Sequence, residues 1–468
     1  MGNKRPNMVL FITDQHRYDC VGYSGKYPVK TPNMDELAQK SVWFEQAYST
    51  IPTCCPARQS LICGQRPERF GAHWNYDITL PVPALAPDAF SFARALKESG
   101  YQTAYIGKWH VNPDYNPLSY GFDSYYGLEH YHQWLKEQGY EEPWKQVKEE
   151  GTRAMLGQNS DVPYEVATPH HLAARGIEKI KEFEEQEEPF LVVISVPEPH
   201  LPCTPSAPFS QMFQKEDVEK WGGFDDTFEE KPYIQKQMTQ NWMLENLTWE
   251  DWSACVARYY ACIAQVDDAL GMVVHYLEEK NRMEDTVVVY TSDHGDMCGS
   301  HRMLDKHYIM YDDVVHVPFM MRWDGHFTPG VCRDFVHNFL DLHITILELA
   351  GARQNEISDG KSLLNQLHGK EEGREYAVST YNGQQFGLYN QRMIRTKRYK
   401  YIWNLTDVDE LYDLEQDPYE LKNRIHDGGY EDILKQLRHL LYEELERCGD
   451  RLLKGTGAVV QLLHGNKL

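Results

Sequence analysis

Four largely apolar runs, each followed at once by polar and titratable residues, constrain the fold of this chain more than any other feature. The runs cover residues 7–13, 101–106, 189–196 and 286–291. Runs of this kind are typical of strands buried on both faces of a parallel sheet. Because the carboxyl ends of parallel strands lie at one edge of a sheet, we expect the polar residues that follow them to meet there. Those residues are Asp14, Gln15, Lys108, His110, His200, Asp293 and His294.

Helical patterns separate these strand-like runs. Residues 255–280 repeat apolar side chains every three or four positions, residues 91–99 end at a glycine, and Thr31-Pro32 is typical of a helix start. The alternation predicts an α/β fold with a large, mainly parallel or mixed sheet flanked by helices. After residue 374, short strands and turns lead to a helix over 430–448. We therefore expect residues 1–370 to form a catalytic α/β unit, and residues 371–468 a smaller α+β unit with an antiparallel sheet.

The stretch around Cys54 is a candidate nucleophile site. Pro56 can serve as the first residue of a helix, and Arg58 follows one turn into it. A helix N-terminus presents free N–H groups and the positive end of the dipole, which suits an anion. A cysteine and a guanidinium there suit attack on a sulfate or phosphate ester. The alternative is that Cys54 and Cys55 are a buried pair on a core helix.

This stretch resembles the signature of the formylglycine-dependent sulfatases, a family of the alkaline phosphatase superfamily. The signature is Cys-x-Pro-Ser/Ala-Arg followed by glycine and a basic residue, here Cys54 to Arg58 and then Gly64-Gln65-Arg66. The frame selects Cys54, because Cys55 has no proline two positions later. The resemblance implies an alkaline phosphatase-like fold and oxidation of Cys54 to formylglycine. Ala57 departs from the usual serine, as in some of the related phosphonate monoester hydrolases.

The resemblance also implies a metal site. Its ligands would be Asp14, Gln15, Asp293 and His294, completed by the oxidised side chain of Cys54. Most sulfatases have a second aspartate where this chain has Gln15. A carbonyl oxygen can still ligate calcium, but the site has one negative charge fewer. We therefore expect a divalent cation, with Ca²⁺ first and Mn²⁺ or Mg²⁺ as alternatives.

Five further residues receive catalytic roles from the resemblance. Lys108 would contact the sulfate oxygens, and His110 would hydrogen-bond the formylglycine hydrate. His200, in the motif Pro-His-x-Pro, would protonate the leaving oxygen. Lys306 would bridge the sulfate and the leaving group, and Arg58 would hold the hydrate oxygen.

Substrate contacts are expected from the segment after the nucleophile helix. In the resemblance this segment lines the substrate site, which assigns His73, Trp74 and Asp77 to substrate binding. Trp74 and Tyr76 are suited to stacking on a sugar or an aryl group. Packing in the core is the alternative for both rings.

The function that the resemblance implies is hydrolysis of sulfate esters of sugars or phenols. One hydroxyl of the hydrate attacks sulfur in line, His200 donates a proton to the departing alcohol, and the second hydroxyl then expels sulfate. An unmodified thiol could not turn over in this way. The alternatives are a phosphonate monoester or phosphodiester hydrolase of the same superfamily, a catalytically silent binding protein on the same scaffold, and a Cys-His thiol hydrolase.

Composition restricts partners and location. The net charge of −23 argues against nonspecific binding to nucleic acid. No stretch approaches the roughly 18 apolar residues of a membrane span, and residues 1–7 do not resemble a signal peptide. The ten cysteines include no CxxC pair, which favours a reducing compartment. We expect a cytoplasmic enzyme that needs a separate maturation enzyme for Cys54; oligomeric state is not readable from the sequence.

Overall fold

Eight strands form one sheet at the centre of the computed structural model, which describes residues 5–71, 74–76, 84–370, 373–383 and 388–465. In chain order these strands are β1 (Asn7–Asp14), β2 (Val42–Tyr48), β3 (Gln102–Gly107), β4 (Ser124–Gly127), β5 (Phe190–Pro199), β6 (Thr286–Ser292), β7 (Phe319–Arg322) and β8 (Gly330–His337). Their order across the sheet is β4-β3-β5-β1-β6-β7-β2-β8. Strand β7 is antiparallel to β6 and β2, and the remaining pairs are parallel.

Strand β1 lies between β5 and β6 and is buried on both faces. Leu10 is paired with Val193 on one side and with Val289 on the other. Met8, Leu10 and Ile12 of β1 belong to one apolar cluster, and Val9 and Phe11 belong to a second. The sheet is therefore the middle layer between two cores, as its uninterrupted apolar sequence predicts.

Helices cover both faces of this sheet. In chain order the helices are α1 (Pro32–Gln39), α2 (Cys54–Cys63), α3 (Pro67–Phe70), α4 (Phe92–Glu98), α5 (Leu128–Glu137), α6 (Thr152–Met155), α7 (Thr168–Glu184), α8 (Tyr233–Asn241), α9 (Trp249–Glu279), α10 (Asp312–Val315), α11 (Asn338–Ala350), α12 (Leu364–Leu367), α13 (Glu431–Cys448) and α14 (Thr456–His464). Residues of α2, α4 and α11 pack on one face, and residues of α1, α7 and α9 pack on the other. None of the helices in the described part of the chain is both long and apolar enough to cross a membrane.

A second, antiparallel sheet follows near the end of the chain. Its strands are β9 (Tyr376–Gly383), β10 (Tyr389–Thr396), β11 (Tyr399–Asn404) and β12 (Glu410–Asp413), in the order β12-β11-β10-β9. Helix α13 packs against this sheet through Leu434, Leu437, Leu441 and Leu445. The predicted fold class, a mixed α/β sheet with an antiparallel C-terminal sheet, is confirmed.

Two details differ from the expectations. Helix α9 begins at Trp249, earlier than the predicted residue 255, because Thr248 and Asp251 cap its first turn. The side chain of Thr31 does not cap α1. The carboxylate of Asp267, on α9, instead accepts hydrogen bonds from the backbone N–H groups of Asn33 (3.1 Å) and Met34 (2.7 Å).

Candidate active site

The polar clusters converge at the carboxyl edge of the first sheet. Asp14 ends β1, Lys108 follows β3, His200 follows β5, and Asp293 follows β6. The N-terminus of α2 reaches the same place, because the Cys54 sulfur lies 3.7 Å from a carboxylate oxygen of Asp14. The convergence expected from the order of the motifs is present in the structure.

Arg58 connects the separate strands. Its Nη2 donates to Asp14 at 2.9 Å, and its Nε donates to Asp293 at 2.9 Å. Its Nη1 donates to the hydroxyl of Ser195 at 2.8 Å and to the backbone carbonyl of Lys108 at 3.1 Å. The Arg58 side chain is buried. Arg58 therefore fixes the relative positions of two carboxylates and two strand ends.

Cys54 is a buried thiol in a strongly cationic environment. Its sulfur lies 3.1 Å from Nε2 of His294. Burial and Asp14 act to raise the pKa of the Cys54 thiol, but Lys306, Lys108 and His294 together hold that pKa well below its usual range. A side chain with oxygen or sulfur anion character is therefore stabilised at this position.

Four side chains could hold a metal ion. Ligand atoms of Asp14, Cys54, Asp293 and His294 all lie within 4.8 Å of one another, and all four residues are buried. Nδ1 of His294 lies 2.8 Å from the carbonyl oxygen of Gly295. That contact suits a ring that donates from Nδ1 and presents the Nε2 lone pair to the cluster, the usual arrangement for a ligating histidine. Two carboxylates, an imidazole and the position 54 side chain fit a divalent cation.

The two carboxylates of this cluster differ in charge environment. Burial opposes ionisation of Asp14, but Lys108, His200, Arg58 and Lys306 hold its pKa well below the usual range. Lys108 Nζ lies 2.6 Å from Asp14. Burial and the nearby Asp14 raise the pKa of Asp293 instead. Burial acts to lower the pKa of His294, and Asp293 and Cys54 raise it to about 9.

Gln15 lies beside the cluster in a left-handed backbone conformation (φ 66°). Its side-chain oxygen accepts from Lys306 Nζ at 2.6 Å. Its amide nitrogen donates to Asp305 at 3.0 Å and also to Asp296. The amide thus connects a cation to two carboxylates, which a carboxylate at position 15 could not do; its assignment as a metal ligand stays a prediction.

Lys306 and His200 line the same space as Cys54. Lys306 Nζ lies 3.0 Å from Nε2 of His200, and His200 Nδ1 lies 2.5 Å from the carbonyl oxygen of Leu201. His110 lines the same space, and its backbone is also left-handed (φ 50°). The catalytic roles of these residues stay predictions, but the structure brings them together around one position.

A cleft of about 720 Å³ opens from these residues to the surface. Asn75 and Tyr76 line it, whereas Trp74 is 1% exposed and packs behind the wall against His307 (ring centroids 5.3 Å apart). The expected stacking of Trp74 on a substrate is therefore not possible without movement of this wall, and its assignment to substrate binding stays a prediction. His73 and Asp77, the other two predicted contacts, lie outside the described residues.

Sequence reasoning missed several residues of this site. Ser195 holds Arg58, Asp296 and Asp305 hold Gln15, and His307 lines the cleft. Ser195 lies near the end of an apolar run, where a polar residue is itself a signal. The others lie in a loop after β6, whose path the sequence pattern does not determine.

The site combines a buried cysteine at a helix N-terminus, a metal-type ligand cluster and two lysines at the carboxyl edge of an α/β sheet. The sulfatase family model matches residues 6–352, and a model described as N-sulphoglucosamine sulphohydrolase, C-terminal, matches residues 299–447. The first match spans most of the chain, so the protein belongs to the sulfatase family. This bears out the family resemblance of the Cys54 stretch.

Individual relatives agree with this assignment. The chain is 29% identical to the uncharacterized sulfatase YidJ of Escherichia coli, over 96% of this chain and 88% of that protein. It is 27% identical to an arylsulfatase of Clostridium perfringens, over 96% and 98% of the two chains. The phosphonate monoester hydrolase of Agrobacterium radiobacter has a similar structure, with a TM-score of 0.79, 25% identity and coverage of 95% and 96%.

Proposed function

We propose that this protein hydrolyses sulfate esters of sugars or phenols through a formylglycine derived from Cys54. The observation that carries the proposal is the position of Cys54 at a helix N-terminus, against a metal-type cluster and within reach of Lys108, Lys306 and His200. Formylglycine there would supply a hydrated aldehyde oxygen as the nucleophile. A separate maturation enzyme would be needed to form it.

The residues of this chain have distinct tasks in the proposed reaction. Lys108 and Lys306 neutralise the sulfate oxygens as charge develops on them. His200 lies on the cleft side of Lys306 and donates a proton to the leaving oxygen, while His110 hydrogen-bonds the group at position 54. Arg58 holds the carboxylates of Asp14 and Asp293 in place. Because Asp14, Lys108, His200 and Asp293 all lie at strand ends, they share one edge of the sheet, which supports the proposal.

The divalent cation would be held by Asp14, Asp293, His294 and the side chain at position 54, with the side-chain oxygen of Gln15 beside it. Ca²⁺ is the first expectation, followed by Mn²⁺ and Mg²⁺. The cation would supply positive charge at the nucleophile and favour its ionised form. Metal analysis tests this part by itself: His294→Ala should bind less than one-tenth of the metal that wild type binds. Equal metal content would exclude His294 as a ligand.

The reaction is tested with protein produced alongside a maturation enzyme. Mass spectrometry of the peptide that contains residue 54 first establishes conversion. Turnover of an aryl sulfate should then fall at least about 1,000-fold in Cys54→Ala. Cys55→Ala is the matched control, because Cys55 is equally buried but occupies the variable position of the signature. Substantial turnover by Cys54→Ala, which has no thiol to convert to formylglycine, would contradict the mechanism.

Phosphonate monoester or phosphodiester hydrolysis is the second candidate. Ala57 and Gln15 depart from the common sulfatase pattern, and the Agrobacterium radiobacter hydrolase has a closely similar structure. The same converted protein should be given an aryl phosphonate monoester at matched concentration. A higher kcat/KM for the phosphonate than for the sulfate would favour this candidate over the first.

We propose a reducing, cytoplasmic location for the enzyme. All ten cysteines are free thiols, and nine of them are buried. The sulfur atoms of Cys255 and Cys298 lie 3.9 Å apart without a bond. Thiol titration of denatured protein taken directly from cells should find no disulfide; an oxidised pair would contradict this location.

A further inference from the structure

The positive charge of the main cleft is confined to its inner end. Lys108 and Lys306 are the only lysine or arginine side chains among the described residues that line the cleft. Both contact the cluster around Cys54, through Asp14 and Gln15. The described lining of the cleft therefore offers no further lysine or arginine to a second anionic group of a substrate.

The mouth of the cleft has the opposite character. Its lining includes the carboxylates of Asp114 and Glu129, both exposed, and the rings of Tyr115 and Tyr125. The Tyr125 hydroxyl donates to Glu129 Oε2 at 3.2 Å, which holds that carboxylate beside an aromatic ring. Tyr115 is 46% exposed and so presents its ring to whatever enters. Carboxylates next to tyrosine rings are favourable surroundings for an ammonium group.

A smaller cleft of about 250 Å³ meets the main one at Lys108 and His200. It has no lysine or arginine beyond Lys108 among its described lining residues, but it does contain Glu198. Oε2 of Glu198 is buried and has no hydrogen-bond partner within the described structure. Trp144, which is 53% exposed, forms another part of its wall. Both clefts, followed outward from Lys108 and His200, thus contain an acidic side chain and an aromatic ring.

We propose that the substrate is a monosulfate ester whose alcohol or phenol carries an ammonium group, held at the mouth of the main cleft by Asp114 and Glu129. This proposal rests on the proposed sulfatase function and names its substrate class. A sulfate ester with a second sulfate or a carboxylate would meet like charge at the mouth. The net charge of −23 adds to that repulsion as such a substrate approaches.

Three phenyl sulfates test the proposal without changing the leaving group. Each has a two-carbon chain at the para position, which ends in an ammonium group, a hydrogen or a carboxylate. The insulating chain keeps the phenol acidity nearly constant, so kcat/KM reports distal charge. We expect the ammonium substrate to exceed the carboxylate substrate by about tenfold or more at low salt, with the neutral substrate between them. The preference should shrink as ionic strength rises.

Substitutions test which residues recognise the distal charge of the substrate. In Asp114→Asn/Glu129→Gln the three kcat/KM values should approach one another, because the distal charge of the substrate no longer faces a carboxylate. Glu137→Gln is the matched control, since Glu137 is an exposed carboxylate on α5 that lines neither cleft. It should leave the preference intact.

The outcomes separate this proposal from the function on which it rests. Hydrolysis of all three sulfates at equal rates would overturn the charge selection and leave the sulfatase function standing. If protein with converted Cys54 hydrolyses none of the three sulfates, the result would count against the sulfatase function itself. A preference that survives the double variant and disappears in Glu198→Gln would overturn the assignment to the mouth.

Discussion

Gln15 shows how one amide organises the charges of the site. It accepts from Lys306 and donates to Asp305 and Asp296, so it separates two buried carboxylates and anchors a cation. Burial and the nearby Asp305 raise the pKa of Asp296 to about 7. The aspartate that most sulfatases have at this position would add a third carboxylate beside Asp296 and Asp305. The glutamine instead donates to both of these and accepts from Lys306 on the same loop.

Gln15→Glu should destabilise the protein in a pH-dependent way. The variant keeps the length of the side chain but replaces the donor between Asp296 and Asp305 with another acceptor. We expect the free energy of unfolding to fall by about 1–3 kcal/mol at pH 8. The folded-state pKa of Asp296 lies above its unfolded value, so at pH 6 this group is protonated, can donate, and the loss should be smaller.

Urea unfolding at pH 8 and pH 6 measures this effect. Gln416→Glu, at an exposed position, supplies the same charge change and should leave the unfolding midpoint nearly unchanged at both values. A Gln15→Glu variant as stable as wild type at pH 8 would show that the amide donor is dispensable.

At the scale of single elements, the start of α1 depends on a residue far away in the sequence. Asp267 of α9 accepts from the backbone of Asn33 and Met34, and from Asn33 Nδ2 at 2.9 Å. Thr31, the cap expected from local sequence, uses its hydroxyl to donate to Asp35 at 3.0 Å. Helix α1 is therefore capped by its neighbour in the same layer, a contact that no local pattern can indicate.

Asp267→Ala should detach this helix start. Two buried N–H groups would lose their acceptor, and we expect the free energy of unfolding to fall by about 1–3 kcal/mol. Asp268→Ala is the matched control, because Asp268 is the next residue and its side chain, which bonds the buried ring of His170, is 49% exposed. Because water reaches this carboxylate, the pair should contribute less than about 1 kcal/mol. Equal losses in the two variants, measured by urea unfolding at pH 7, would contradict the capping role of Asp267.

The elements that the sequence predicted well are those whose signal is local. Strands β1, β3, β5 and β6 were predicted because an apolar run buried on both faces needs no knowledge of its partners. Strand β2 was not predicted, because its sequence mixes apolar and polar residues and only its neighbours β7 and β8 determine its place. The same division holds in the site: strand-end residues such as Asp14 and Asp293 were predicted, whereas Asp305 and His307 depend on the path of a loop.

At the scale of the whole molecule, the C-terminal sheet supports the loop that carries Lys306. Lys400 of β11 is 0% exposed and donates to the carbonyl oxygen of Met310 at 2.9 Å. Its Nζ also lies 2.7 Å from Asp312 and 2.6 Å from Glu420. The boundary at residue 370 stays a proposal, but these contacts connect the residues on its two sides.

Lys400→Met tests this support. The variant fills the same space with an apolar side chain. It leaves the buried Glu420 without Lys400, and it leaves the part-buried Asp312 with only the more distant Arg395, at 3.6 Å. We expect a loss of about 3–5 kcal/mol in the free energy of unfolding at pH 8. In wild type, burial already raises the pKa of Glu420 to about 7, against the opposing effect of Lys400. Without Lys400 the pKa of Glu420 would rise further above its unfolded value. The pKa of Asp312, which Lys400 and Arg395 hold below its usual range against the effect of burial, would rise as well.

The direction of these pKa changes determines how the stability loss depends on pH. A carboxyl group whose folded pKa exceeds its unfolded pKa favours folding at low pH and loses that contribution as the pH rises. The stability deficit of Lys400→Met should therefore shrink at pH 5, and Lys400→Met/Glu420→Gln should recover part of it at pH 8. Lys397→Met, in the exposed turn before β11, should match wild type throughout. A deficit that is the same at pH 5 and pH 8 would show that Lys400 acts through packing, and that the buried charges do not link the two sheets.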